Sequence, residues 1–295
     1  MSTSSHQSKI LVPIGFSEQS LLALQQAIIF GKAMNARLYL LSVIEESSLL
    51  SRLLGDGSES DEKVRATVEE KLQQLAIETR NNSGLEVEYL IAKGTVYEEI
   101  AKTTELIDAD LVVMGTNGRP SNFKKKFIGS NAYRTVTAVK PPVLVVKGVN
   151  NPETVKKIIF PVYTDIKSRE KTPTVIHFAR LFDATVALIG FFVNDEEKAR
   201  LLAILKQLDQ VFTDAGIKHE IHFKAVDSES KKIDELFEFT YKNGGDILAI
   251  TEEGEEPDIA TVLLGTEVQK VLYYSEIPVL AITPRRDIYG GIIGS

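Results

Sequence analysis

The sequence predicts an α/β fold built twice, as two tandem five-stranded parallel sheets flanked by helices. Three observations predict it. Short apolar runs alternate with longer segments of helical periodicity along the whole of the 295 residues. The opening run, Lys9-Ile10-Leu11-Val12-Pro13-Ile14, returns as Lys157-Ile158-Ile159-Phe160-Pro161-Val162, 148 residues on (157 − 9). Asp110, Gly129 and Pro142 recur as Asp246, Gly265 and Pro278, each 136 residues on (246 − 110, 265 − 129, 278 − 142). One spacing held over three separate elements marks an internal duplication. The surplus of 12 (148 − 136) places extra length in the first copy, in the segment Glu45 to Ser60.

The elements follow in order. Lys9 to Ile14 reads as a buried strand, and Gly15-Phe16-Ser17 turns out of it. Leu21, Leu22, Leu24, Ala27 and Ile28 then recur at helical spacing, up to about Met34, and Arg37 to Val43 is a second strand. Glu45 to Ser60 reads as a loop, marked by Gly55-Asp56-Gly57-Ser58. Asp61 to Asn82 is an amphipathic helix with Val64, Val68, Leu72 and Leu75 on one face. Leu85 to Ala92 is a third strand. Thr95-Val96-Tyr97-Glu98 fits a capping box opening a helix that ends near Asp108. Asp110 to Gly115 is a fourth strand, Asn131 to Val139 a short helix, and Val143 to Lys147 a fifth strand. Turn-forming residues from Gly148 to Glu153 make the linker, so the expected domains are residues 1–149 and 150–295. The second copy repeats the order. Strands fall at Lys157–Val162, Thr185–Val193, Ile217–Val226, Asp246–Ile250 and Pro278–Ile282; helices open at Asn194 and Lys231.

Composition limits the function. The chain is 43% hydrophobic and 25% charged, ordinary for a globular protein, and 34 basic against 41 acidic residues give a net charge of −7. An acidic chain is a poor general binder of nucleic acid. It has no cysteine, which excludes disulfides, thiolate catalysis and thiolate-held metals. The N-terminus is polar and Ser-rich, with no apolar signal, and no run approaches the ~20 apolar residues of a spanning helix. The expectation is a soluble, cytoplasmic protein that engages neither membrane nor nucleic acid.

One stretch carries the chemistry. Met114-Gly115-Thr116-Asn117-Gly118 leaves a buried strand, and Gly129-Ser130 precede the helix at Asn131. Glycine has no Cβ and accepts φ > 0, so such a loop lets backbone N–H groups approach a phosphate at a helix N-terminus. The same pattern also serves as a plain tight turn. Ser130 stands where an N-cap hydroxyl would be. The histidines offer little: His6 lies in the polar tail and His177 in a helix with a structural part. His219 and His222 share a strand three residues apart and so face opposite ways. No nucleophile–base pair stands out, and no P-loop or Gly-x-Gly-x-x-Gly fingerprint occurs.

The Ile10-Leu11-Val12-Pro13 strand, Phe16-Ser17-Glu18 at a helix start, the Met114 to Gly118 loop, Gly129-Ser130 and the closing Pro141-Pro142-Val143-Leu144-Val145-Val146 together resemble universal stress protein domains. The resemblance spans nearly the whole chain, twice. It implies a Rossmann-like domain of the adenine nucleotide alpha hydrolase type, and ATP or a related adenine nucleotide as ligand, with Mg2+ accompanying it. Carried over, Gly115, Gly118, Gly129 and Ser130 would hold the phosphates, with Asn117 and Asn131 beside them. Pro13, Ile14, Gly15 and Val43 would line the base and ribose, and Met114 would flank the nucleotide. Two features depart from the family pattern. Ten residues rather than nine separate Gly118 from Gly129. Gly15 stands where ATP-binding members have an Asp that contacts the sugar or a metal, a loss on the scale of roughly 1–3 kcal/mol.

In the second copy Thr251-Glu252-Glu253-Gly254 replaces Gly115-Thr116-Asn117-Gly118, and Tyr163 replaces Gly15. The first loop carries Arg119, Lys124, Lys125 and Lys126. The second carries Glu252, Glu253, Glu255, Glu256 and Asp258. A polyphosphate is attracted by the first and repelled by the second, so nucleotide is expected in the first domain alone. The expected role is a nucleotide-binding stress-response regulator rather than an enzyme, with at most a residual ATPase activity. The alternative is an interaction protein of the same family that binds no nucleotide and docks an unidentified protein partner. Strands Val143–Val146 and Val279–Ile282 are expected to pair within one chain as a pseudo-dimer, with a homodimer as the other arrangement.

Overall fold

The computed structural model describes residues 7–45, 57–116, 131–147, 152–165, 169–251 and 267–283. By internal contacts the chain divides into two compact units, Met1–Pro141 and Pro142–Ser295. Each is a Rossmann-like α/β unit. Among the described residues no helix is long and apolar enough to cross a membrane.

The first unit runs β1 (Lys9–Pro13), α1 (Glu18–Met34), β2 (Arg37–Ile44), α2 (Gly57–Ser83), β3 (Val87–Lys93), α3 (Val96–Ile107), β4 (Leu111–Gly115) and α4 (Asn131–Ala138). Its strands lie in the order β3-β2-β1-β4, with parallel pairing throughout. Strands covered on both faces read as continuous apolar runs. Accordingly Ile10, Leu11, Val12, Leu111, Val112 and Val113 are fully buried.

The second unit runs β5 (Val143–Val146), β6 (Lys157–Val162), α5 (Thr172–Phe182), β7 (Thr185–Phe192), α6 (Asp195–Asp214), β8 (His219–Ala225), a 3-10 turn (Glu229–Lys231), α7 (Lys232–Lys242), β9 (Ile247–Thr251), α8 (Glu267–Tyr274) and β10 (Val279–Ile282). Its order is β8-β7-β6-β9-β10-β5. β5 falls in this unit and pairs antiparallel with β10, setting Val145 opposite Val279 and Val143 opposite Ala281. The other pairings are parallel.

The duplication is visible in small devices. The Asp110 carboxylate accepts from the Lys9 amide at 2.9 Å, and Asp246 accepts from the amides of Lys156 at 2.7 Å and Lys157 at 2.9 Å. Helices α1 and α5 both end on a left-handed residue, Asn35 (φ 49°) and Asp183 (φ 51°). In each copy the next amide returns to the helix: Ala36 to the Gly31 carbonyl, Ala184 to that of Ala179, both at 2.9 Å.

Four local expectations change. Helix α2 begins at Gly57, so residues 57–60 are helical rather than loop; no proline there bars a first turn. Its buried face starts later than the pattern suggests: Leu72 and Ala76 are buried, whereas Val64 is 48% exposed. Thr95 does sit at the N-cap of α3, but its side chain makes no capping bond. Glu98 accepts from the Tyr97 hydroxyl at 3.1 Å instead of turning back, so the box does not close. His177 lies on α5 as expected, but exposed, with its ring 5.4 Å from that of Phe178.

Candidate functional site

The ends of the first unit's strands surround a cavity of about 350 Å³. Its position follows from topology. Open parallel sheets bind ligands beyond the carboxyl ends of their strands, where successive crossovers diverge. β1 supplies Pro13, Ile14 and Gly15; β2 supplies Leu41, Val43 and Glu45; β4 supplies Met114 and Gly115. Three helices begin at its rim and contribute Ser17 and Ser20 (α1), Val96 and Ile100 (α3), and Asn131 and Ala132 (α4). A helix N-terminus carries unpaired N–H groups and about half a positive charge, so a convergence of starts suits an anion.

Each wall has a local cause. The Ile14 amide donates to the Leu41 carbonyl at 2.7 Å, extending the β1–β2 pairing past Pro13. Phe16 turns the chain at φ 56°, and Ser17 caps α1, its hydroxyl accepting from the Ser20 amide at 3.3 Å. Ser20 is in turn engaged, donating to the Ser17 carbonyl at 2.8 Å. On β2 the side-chain alternation brings Leu41, Val43 and Glu45 to one face. Val96 and Ile100 stand one turn apart on α3 and share a face. α3 and α4 meet through the Arg134 guanidinium, 5.4 Å from the centre of the Tyr97 ring.

The two glycines at the cavity serve different ends. At Gly115 an added Cβ would lie 2.4 Å from the Gln19 carbonyl oxygen and 2.9 Å from the Ser20 nitrogen. Both are backbone atoms that cannot swing away, so glycine here lets β4 run against the first turn of α1. At Gly15 an added Cβ meets nothing within 4 Å among the described residues. That glycine leaves open space in the cavity. Thr116, just after β4, is buried, and its Oγ1 has no hydrogen-bond partner among the described residues.

Of the residues singled out from sequence, the structure brings Pro13, Ile14, Gly15, Val43, Met114, Gly115 and Asn131 to this one cavity. Asn117, Gly118, Gly129 and Ser130, with the basic residues between them, lie outside the described residues. Sequence reasoning missed Ser17, Ser20, Leu41, Glu45, Val96, Ile100 and Ala132. The two-residue alternation of β2 and the four-residue spacing of Val96 and Ile100 are signals that would have found several of them.

The second unit holds different chemistry. Lys171 is fully buried, its Nζ 4.4 Å from the Phe160 ring and 6.0 Å from that of Tyr163. Lys232, the counterpart of Val96 at 136 residues on (232 − 96), is 8% exposed and paired with Glu197 and with Glu229, the latter at 2.9 Å. Glu197 also accepts from the Val193 amide at 2.8 Å. Burial opposes its ionisation, but the Lys232 and Val193 hydrogen bonds prevail and hold its carboxyl below the usual range. Burial likewise opposes the Lys232 charge, and its two carboxylate partners raise it above the ordinary lysine value. The histidines serve separate helices: His219 contacts Asp209 of α6 at 2.8 Å, and the His222 ring lies 4.7 Å from Phe239 of α7. Among the described residues no group of three or more His, Cys, Asp or Glu is placed to hold a metal ion.

Comparison with known proteins gives a consistent picture. Residues 7–147 match the model of the universal stress protein family. A universal stress protein of Methanocaldococcus jannaschii is 31% identical over 157 residues, covering 48% of this chain and 96% of that protein. A universal stress protein structure from Archaeoglobus fulgidus matches 95% of this chain and 97% of its own, with TM-score 0.77 at 20% identity. A structure described as a putative universal stress protein of Pseudomonas aeruginosa matches 95% of this chain and 94% of its own, with TM-score 0.64 at 18% identity. The last two extend the likeness in fold over both units.

Proposed function

The chain belongs to the universal stress protein family, and on that premise we propose that its first unit binds ATP or a related adenine nucleotide and acts as a stress-response regulator through the bound state. The observation that carries the reading is the cavity at the ends of β1, β2 and β4. Its volume of about 350 Å³ lies within the range usual for small-ligand sites. Its walls divide as a nucleotide does. Val43, Val96, Ile100 and Met114 form an apolar side for a base. Asn131 and the starts of α1 and α4 form a polar side for phosphate. Open space beside Gly15 admits the ligand. Mg2+ would bind mainly through the phosphates and water, as that ion prefers.

The lining residues support binding rather than catalysis. Ser17 and Ser20 spend their hydrogen bonds on capping α1. In the second unit Tyr163 takes the place of Gly15, with the Lys171 Nζ 6.0 Å from its ring, and five acidic side chains stand in the loop sequence. We assign that unit a structural or protein-contacting part.

The test is calorimetric titration of the full chain with ATP, ADP and AMP, with and without Mg2+. Saturable binding at a single site is expected, and Gly15→Tyr should abolish it by filling the cavity. Absence of heat and of any thermal shift at millimolar nucleotide would instead favour an interaction protein without nucleotide. Undiminished binding in Gly15→Tyr would place the site elsewhere.

A further inference from the structure

We propose that β8, the edge strand of the second unit, pairs antiparallel with β8 of a second copy of this chain, centred on His222, and so joins two chains in a symmetric dimer. β8 ends its sheet, and no strand lies beyond it among the described residues. Such an edge offers unpaired backbone groups to another chain. The Lys218 carbonyl accepts from the Val186 amide, and the Val226 amide donates to the Phe192 carbonyl, both at 2.9 Å. Backbone groups two residues apart share a direction. Glu220, His222 and Lys224 therefore turn theirs to β7, while His219, Ile221, Phe223 and Ala225 turn theirs outward. An edge strand that stays single is commonly protected by charge or a covering element. Here Ile221 is 43% exposed instead. It shares a face with His219, which contacts Asp209 of α6. Leu202 stands two turns before Asp209 on the same side of that helix, and is 47% exposed. The edge thus carries open apolar surface beside its free hydrogen-bonding groups.

Charge selects both the occupant and the register. A two-fold axis normal to the sheet sets side chains of one face opposite each other, so it passes through a residue and not between two. Centred on His222, it sets Glu220 opposite the partner's Lys224, and Lys224 opposite the partner's Glu220. These are non-hydrogen-bonded pairs of the ladder, in which side chains stand closest. Ile221 then meets the partner's Phe223, and the four outward-turned residues of each strand exchange backbone hydrogen bonds with those of the other. One step either way loses the match. Centred on Ile221, the strand sets Lys224 opposite the partner's Lys218; centred on Phe223, it sets Glu220 opposite the partner's Val226. Both charges have room to turn across. The Glu220 side chain is 43% exposed, with the Lys157 Nζ and the His222 Nε2 each 3.2 Å away, and Lys224 is 51% exposed beside Glu235. At β3, the edge strand of the first unit, the same arrangement is mismatched. Centred on Leu90, it sets Glu88 opposite the partner's Ala92 and Lys93 opposite the partner's Val87.

The experiment measures the mass of the full-length protein by sedimentation equilibrium between about 1 μM and 1 mM. Wild type should pass from monomer to dimer within that range. Glu220→Lys sets lysines opposite each other on both sides of the axis, and Lys224→Glu sets glutamates so. Each should weaken the dimer by about 10-fold or more. Mixing the two single variants should restore a dimer with one chain of each, and the double variant Glu220→Lys/Lys224→Glu should dimerise as wild type does. Ile221→Lys should keep the wild-type melt and stay monomeric. A wild type that is monomeric throughout, or a dimer that none of these substitutions weakens, overturns the inference. So does loss in the single variants without recovery on mixing, because the two charges would then not meet across the axis.

Discussion

Gly115 and Thr251 end equivalent strands, 136 residues apart (251 − 115), and they show how two copies of one fold came to differ. In the first copy α1 starts at Glu18, close behind β1, and its first turn occupies the space a Cβ on Gly115 would need. In the second copy position 166 corresponds to Glu18, at 148 residues on, yet α5 starts only at Thr172. Pro173 explains the delay. Proline is accepted in a helix's first turn but costs about 3 kcal/mol in its interior, and Gln25, its counterpart, lies well inside α1. With the helix start displaced, a side chain at position 251 is tolerated. Helix start and strand-end residue are therefore coupled, and in the first copy that coupling keeps the cavity wall in place.

The coupling breaks most visibly at Gly115→Thr. The contacts at 2.4 and 2.9 Å are with backbone, so relief requires shifting β4 or unwinding the start of α1. The expected loss is about 3 kcal/mol, the upper part of the range for overpacking. Urea melts should show it, with hydrogen exchange of the α1 amides rising from the N-terminal end. Thr251→Gly should lose at most about 1 kcal/mol, mostly backbone entropy. Equal losses in the two variants would break the comparison.

The next difference lies at Val96 and Lys232, which open equivalent helices. Lys232→Val makes the second copy like the first and leaves Glu197 partly buried without its cation. Fully buried pairs lose roughly 3–5 kcal/mol when one partner is removed. The Glu197 side chain keeps 18% exposure, so about 2 kcal/mol is expected here. The pH dependence carries the sign. The Glu197 carboxyl is held below its ordinary 4.5, so its contribution is present above that value and is lost as pH falls through the lower folded value. Lys232 is held above its ordinary 10.5, so its contribution is present below that pH and is lost as pH rises through the higher folded value. Stability measured from pH 2 to 12 should fall at both ends in wild type, and Lys232→Val should flatten both falls. Unchanged falls would show that the pair is not their source.

Much of this architecture was legible in the sequence because parallel sheets buried on both faces write continuous apolar runs, and a duplication writes each twice. Pro13, Ile14, Val43 and Met114 were placed at the strand ends by resemblance, and they line one cavity. Less legible was whatever depends on a contact between distant segments. Nothing local to Gly115 says that Gln19 will press against it. Thr95 and Glu98 match a capping box in type and spacing, yet Tyr97 takes the Glu98 carboxylate. Val64 keeps the helical period but lies beyond the edge of what α2 covers. In the sequence Glu45 opens a polar stretch, and only the alternation carried on from β2 makes it part of the wall.

The smallest effect on stability should come from the substitution with the largest effect on binding. Gly15→Tyr makes the first copy like the second, where Tyr163 holds the same place at 148 residues on (163 − 15). Among the described residues a Cβ at Gly15 meets nothing within 4 Å, and no left-handed backbone conformation ties that position to glycine. Removing glycine's extra freedom in the unfolded chain favours the variant by roughly 0.4–1 kcal/mol, and ordering a tyrosine side chain against the cavity wall takes back a similar amount. The melt should therefore move by no more than about 0.5 kcal/mol while the cavity is filled. A loss as large as that of Gly115→Thr would mean that both glycines are packing residues and that the space beside β1 is not free. A silent melt with nucleotide binding abolished would separate them, with Gly115 holding the wall and Gly15 leaving the room.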